Sequence, residues 1–274
     1  MTAYGSLGSI PAMTTLTGRT ALITGVSRRK GIGFAVARRL ARAGASLRLV
    51  HHTPHDAGQP WGADDVETVM AELRAELVDG ATLEHTDADF ADPDEPARVI
   101  DWAGPSVEIL VANHARSGGD GTLAEMTPQT LEQHWRIDAQ SVLLLTQHFA
   151  NRFEGEDGRV IWLTSGQARG PMRGEVAYAG AKAMLAGLVP TVADELIDAG
   201  IRLNAVNPGP VNTGYLDPET TDRPDRLDEI KAAFPLGRFG EPDDPARLIE
   251  FLVTQAGGWI VGQVIDSEGG FRRG

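Results

Sequence analysis

A tyrosine and a lysine stand four residues apart in "YAGAK", Tyr178 and Lys182, and Ser165 lies 13 residues before the tyrosine. On a helix, side chains at i and i+4 share a face, so phenol and ammonium become neighbours. A free tyrosine ionises near pH 10, too high for ready proton exchange at neutral pH. A nearby ammonium favours the phenolate and lowers that value. Ser165 closes the apolar run "RVIWLTS" (159–165), which reads as a strand, and a hydroxyl at a strand end is placed to meet a carbonyl oxygen. The chemistry of such a trio is proton transfer to or from an oxygen. A lone Tyr-x-x-x-Lys arises by chance in many chains. The same pair with a strand-end serine before it and a helix around it is far rarer.

A second constellation lies near the start, "TGVSRRKGIG" (24–33). Gly25, Gly31 and Gly33 punctuate it, and three of the five residues between Gly25 and Gly31 are basic: Arg28, Arg29 and Lys30. A turn that leaves a strand and enters a helix presents bare N–H groups to a phosphate, and glycines let the backbone come close. A plain glycine-rich turn is the alternative reading. The end of the second strand decides between dinucleotides, because an acid there holds the ribose 2′-hydroxyl of NAD. Here it reads "LVHHT", with His51 and His52 and no acid. Arg28 and Arg29 have the forked geometry that suits a 2′-phosphate, which favours NADP(H); a solvated basic tip is the alternative. "HHTPH" shows histidines without a further ligand cluster, so no metal site is expected.

Positioning these residues requires a scaffold, and the rest of the chain describes one. Short β-rich runs (20–24, 46–51, 81–87, 108–112, 159–165, 201–206 and 262–266) alternate with helical patterns (32–43, 66–77, 128–153, 175–198 and one from 245), while 53–65 reads as a turn-rich loop. The acidic, proline-bearing "DPDEPARVIDWA" opens a further helix. This alternation, without a break in composition over 274 residues, predicts one doubly wound α/β domain: a parallel sheet with helices on both faces, over residues 17–274 after a leader of 1–16. Ligands of such sheets sit beyond the carboxyl ends of the strands, where the strand order reverses. Both constellations fall at such ends. The net charge of −13 argues against a broad nucleic-acid face. The absence of cysteine excludes disulfides and thiolate sites and fits a cytoplasmic protein. No run approaching roughly 20 apolar residues stands out, so no membrane span is expected.

Taken together these motifs resemble the short-chain dehydrogenase/reductase family, over about Leu16 to Gly270. "TGVSR…GIG" resembles its TGxSRGIG turn, lengthened by two residues, which implies cofactor contacts from Gly25, Ser27, Arg28, Gly31, Ile32 and Gly33, with Arg29 and His51 beside them. "DADFAD" resembles the adenine-contacting segment and carries Asp89 and Phe90. "LVANHA" stands where LVNNAG is usual and leaves Asn113 and Ala115 at the cofactor. Ser165, Tyr178 and Lys182 match the catalytic serine, tyrosine and lysine. The fourth member, an asparagine whose backbone carbonyl helps hold a relay water, falls at Asp138. "NPGPVNT" implies cofactor contacts from Pro208, Gly209, Val211 and Thr213, and the C-terminal stretch resembles 3-oxoacyl-carrier-protein reductases.

The resemblance implies hydride transfer between NADPH and a ketone. Tyr178 acts as the acid, Ser165 orients the oxygen, and Lys182 binds the nicotinamide ribose and lowers the tyrosine pKa. The substrate pocket is expected from 166–177 and 214–235, with Gln167 and Met172 facing the substrate. Arg169 and Arg173 either steer an anionic or carrier-protein-bound substrate or are solvated charges. Rival readings are a ketone or alcohol of secondary metabolism, NAD-linked alcohol oxidation, and a non-catalytic NADP(H)-binding regulator. Enoyl reductases resembling this family space tyrosine and lysine farther apart. The family's homotetramers or homodimers, built on its two long helices, imply an oligomer here.

Overall fold

The computed structural model describes residues 15–221 and 224–273; residues 1–14 of the expected leader lie outside it. Seven strands form one parallel sheet: β1 (Thr20–Thr24), β2 (Ser46–His51), β3 (Leu83–Asp87), β4 (Val107–Ala112), β5 (Gly158–Leu163), β6 (Ile201–Asn207) and β7 (Val264–Asp266). Their order is β3-β2-β1-β4-β5-β6-β7. The central strands carry near-continuous apolar runs because helices cover both faces. One apolar cluster gathers Leu40, Leu47, Ile109 and Ile249. The other gathers Leu22, Trp162, Leu185 and Leu203 across the sheet.

The helices are α1 (Ile32–Arg42), α2 (Thr53–Ala57), α3 (Val66–Arg74), α4 (Glu95–Ala103), α5 (Pro128–Trp135), α6 (Ser141–Arg152), α7 (Val176–Ile197), α8 (Leu227–Ala232) and α9 (Asp243–Val253). Two departures from the sequence reading matter. The helix expected over 128–153 is interrupted by a π-helical turn, Arg136–Gln140, and such turns recur at functional sites. The stretch expected as a loop after β2 contains the short helix α2, with Pro54 in its first turn.

The expectation that no segment could span a membrane needs correcting. By length and composition alone α7, of 22 residues, is long and apolar enough. In the fold, however, it packs against β6 and α5 and buries Lys182.

The strand order reverses between β1 and β4. Chain leaving their carboxyl ends therefore diverges and opens a crevice there. The glycine turn follows β1 and the segment 113–121 follows β4. Ser165 follows β5, and the prolines 208 and 210 follow β6.

Candidate active site

The glycine turn is locked from beneath. Gly25 adopts φ +73°, a left-handed conformation that a side chain resists, and a Cβ there would lie 2.7 Å from Asn113 Nδ2. Asn113 donates from that nitrogen to the carbonyls of Thr24 (3.0 Å) and Gly25 (3.2 Å). The surviving asparagine of "LVANHA" thus ties β4 to the turn. Gly31 precedes α1 without a side-chain cap, and the first turn of α1 holds no acid. Its N–H groups are left to the anion that a dinucleotide would bring.

The basic residues of the turn do not act together. Arg28 Nε lies 2.8 Å from Asp56, its Nη1 donates to the Thr213 carbonyl (2.7 Å), and its guanidinium stands 5.4 Å from the Trp61 ring centroid. Arg29 is directed to Asp64 (3.0 Å) and Glu72 (3.3 Å), and its backbone N–H also binds Asp64. Lys30 pairs with Asp217. The two arginines expected to face a 2′-phosphate together are thus held by separate carboxylates, Arg28 by Asp56 and Arg29 by Asp64 and Glu72. The two added residues reach outward and tie the turn to acids elsewhere. Ser27 accepts the His52 N–H (3.0 Å), which sets this side of the turn against the end of β2.

His51 lies 3.2 Å from His85, and burial pushes its pKa down. Asp89 accepts the Ala91 N–H (2.9 Å) in a local turn. Phe90 is buried and packs on the His114 ring, centroids 4.1 Å apart.

His114 is a site residue that the sequence reading passed over. Ser141 spends its one hydroxyl proton on the Ile137 carbonyl (2.7 Å), so it accepts from His114 Nε2 (2.7 Å). The other ring nitrogen, Nδ1, then accepts from Thr24 Oγ1 (2.7 Å). This fixes a neutral imidazole with its proton on Nε2. Burial, then the Lys182 charge, push its pKa down to about 3.

An unfolded histidine protonates near pH 6.5. Between pH 6.5 and about 3 the unfolded chain therefore binds the extra proton. Stability is full above that window and falls through it on acidification, with a slope approaching ~1.4 kcal/mol per pH unit from this group. His114→Asn is expected to weaken the fold at pH 7.5 but to cost progressively less as the pH falls to 5. Urea unfolding of both proteins checks this; a constant difference would refute it.

The four-residue spacing puts Tyr178 and Lys182 on one face of α7, and Ser165 lies just beyond β5. Ser165 follows β5 in an extended conformation, with its hydroxyl 3.8 Å from Met172 Sδ. Tyr178 and Lys182 share one face of α7, with the ammonium 5.7 Å from the phenol ring centroid. Lys182 is fully buried and donates to the Leu163 carbonyl (2.9 Å). Burial, then the Asp138 charge, push the Tyr178 phenol up, while the Ser165 hydroxyl pulls it down. Burial pushes Lys182 down and Asp138 pushes it up.

A family model described as Enoyl-(Acyl carrier protein) reductase matches residues 25–272. The uncharacterized oxidoreductase YjdA of Bacillus subtilis is 35% identical over 93% of this chain and 98% of its own length. An NADPH-dependent aldehyde reductase-like chloroplastic protein of Arabidopsis thaliana is 32% identical over 99% of this chain and all of its own length. Among solved structures, a blue fluorescent protein from a metagenomic library, in complex with NADPH, superposes with a TM-score of 0.81 at 29% identity, covering 94% of this chain and 100% of that one. The chain belongs to the short-chain dehydrogenase/reductase family.

The family's nicotinamide dinucleotide fits the crevice. The uncapped start of α1 suits its pyrophosphate, and β2 ends in His51 with no acid of its own, while Asp56 of α2 holds Arg28 beside it. Asp138 departs from the family pattern, and its carboxylate has a structural use. It accepts the Arg116 N–H (2.6 Å) and holds His134 Nδ1 (2.7 Å) while fully buried. It therefore braces the segment after β4 against α5, and its charge opposes ionisation of the family tyrosine. On the far side, Val211 bridges to Gly240 and Gly209 packs on Glu268. Pro208, Phe234, Leu236 and Phe271 line a cavity of about 730 Å³. Arg169, expected as a candidate for steering anions, is paired with Asp266 there, while Arg173 is exposed. Gln167 buries its side-chain oxygen with no hydrogen-bond partner among the described residues. Met172 reaches the serine.

Proposed function

We propose that the chain reduces a ketone, a 3-oxoacyl thioester or related carbonyl, with NADPH. The observation that carries this reading is the trio itself: a phenol held protonated by burial, 5.7 Å from the ammonium of a buried lysine on the same helix face, with a serine just beyond β5 acting on the phenol. When bound, the nicotinamide supplies the hydride. Ser165 orients the carbonyl oxygen and stabilises charge growing on it. Tyr178 Oη delivers the proton to that oxygen. Lys182 keeps its ammonium beside the phenol and the nicotinamide ribose. Asn113 keeps the turn in register so that the hydride donor and Tyr178 face one substrate atom. NADPH is favoured by Arg28, by the lack of an acid in β2, and by the cofactor named for two of the relatives.

The second reading, reduction of an enoyl thioester, is suggested by the description of the family model. The spacing of Tyr178 and Lys182 favours the ketone. Exposed Gly180, Ala183 and Gly187 form a small-residue stripe along α7 and support assembly through that helix into a homodimer or homotetramer.

Turnover of 3-oxoacyl thioesters, enoyl thioesters, simple ketones, aldehydes and alcohols with each cofactor tests the assignment. NADPH oxidation with a ketone is expected. Activity confined to enoyl thioesters, or none with any carbonyl, would overturn it.

A further inference from the structure

The helix that carries Tyr178 does not cap itself. Glu175 precedes α7 with φ −132° and ψ 46°, and its side chain does not cap the helix. A helix start leaves its first N–H groups without intrahelical partners, and those of α7 are met from another part of the chain. The Gly121 carbonyl accepts the Val176 N–H (3.3 Å). The two oxygens of Asp120 accept from Ala177 N (3.1 Å) and from Tyr178 N itself (2.8 Å). Asp120 also accepts the Gly121 N–H (2.7 Å), which stiffens its own turn. A carboxylate in this position does what an N-cap side chain does, with its charge set against the positive end of the helix.

Asp120 stands on the segment that follows β4, whose other anchors lead elsewhere in the site. Asn113 holds the glycine turn, the Arg116 N–H holds Asp138, and Ser117 meets His55 of α2 (3.0 Å). Gly118 and Gly119 both adopt positive φ immediately before Asp120, so the chain doubles back towards α7. One loop therefore touches the dinucleotide turn at one end and the backbone of the tyrosine at the other.

We propose that Asp120 is a positioning residue: a cap supplied from the β4 loop that fixes the height and direction of the Tyr178 phenol relative to the cofactor turn. It does not touch the reacting atoms. The proposal rests on the reading of Tyr178 as the acid. A misplacement of about 1 Å at the reacting centre is enough to cost roughly a hundredfold in rate.

The test uses the full-length Asp120→Ala and Asp120→Asn variants. Asp65→Ala is the control, because Asp65 caps α3 through Thr68 N (2.8 Å), away from the site. Asp120→Ala is expected to lower kcat roughly 10- to 100-fold with the Kd for NADPH, read by fluorescence titration, within about twofold. The midpoint of the kcat pH profile should stay in place. Asp120→Asn keeps one accepting oxygen and should recover part of the loss; it also decides the matter if the alanine variant does not fold. Asp65→Ala should lower Tm with kcat unchanged. Hydrogen exchange at the Ala177 and Tyr178 amides should quicken in Asp120→Ala whether or not substrate is turned over. Unchanged kcat and exchange in the alanine variant, or an equal loss of kcat in the control, would overturn the proposal. A wild-type protein inactive on every carbonyl, with exchange still quickened by Asp120→Ala, would overturn the reductase reading and leave the cap standing.

Discussion

Tyr178→Phe is expected to lower carbonyl reduction about 1,000-fold or more, since a positioned acid contributes roughly 10²–10⁴, with little change in NADPH affinity. The phenylalanine ring fills the same space beside His134, whose ring centroid lies 6.2 Å away, so folding should survive. The pH dependence carries a sign. Burial and Asp138 both push the phenol up, so it stays a proton donor through neutral pH and reduction should fall only on the alkaline side. Oxidation of the alcohol needs the phenolate and should rise with pH over the same range. Asp138→Asn keeps an oxygen for the Arg116 N–H but removes the charge, so the alkaline limb should move to lower pH. Steady-state rates from pH 6 to 10 measure this. An alkaline limb that stays in place or moves up would show that Asp138 does not act on the tyrosine.

Cofactor choice should turn on one arginine and the carboxylate that holds it. Arg28 and Asp56 are each only 13% exposed at the side chain, so water screens their pairing little. A 2′-phosphate must take Arg28 from Asp56 or meet its charge. Arg28→Ala is expected to raise the Kd for NADPH roughly 10- to 100-fold and to leave NADH nearly unchanged, on the scale of about 1.5–3 kcal/mol for a charge-assisted hydrogen bond. Asp56→Asn should act the other way and tighten NADPH several-fold. Arg29→Ala should change either affinity by less than about twofold, because Arg29 is half exposed and directed to Asp64 and Glu72. Titration of each variant with both cofactors checks all three. Equal weakening by Arg28→Ala and Arg29→Ala would restore the picture of a shared basic grip.

Much of this molecule was legible before folding. Short apolar runs and helical stripes depend on neighbours close in sequence. Seven strands, the main helices and the doubly wound class follow from them. The face shared by Tyr178 and Lys182 follows from helix geometry alone, and Ser165 follows from the strand that ends before it. What sequence could not state was which distant group each polar side chain would meet. The charges of Arg28, Arg29 and Lys30 look like one patch in sequence. Their partners come from 28 to 187 residues away and divide them three ways.

His114 looks like a stray substitution until Thr24 and Ser141 close on both ring nitrogens. Asp138 passes for a replaced asparagine until Arg116 and His134 claim its carboxylate. The π-helical turn that carries it leaves no periodic trace, because one added residue in a turn hardly alters an apolar stripe. Local pattern determined the elements and the helix face that Tyr178 and Lys182 share, since both are set within a few residues of chain. Tertiary structure alone decided the pairing of buried and half-buried charges, because a hydrogen bond is satisfied by whatever the fold brings within 3 Å, however far away in sequence it began.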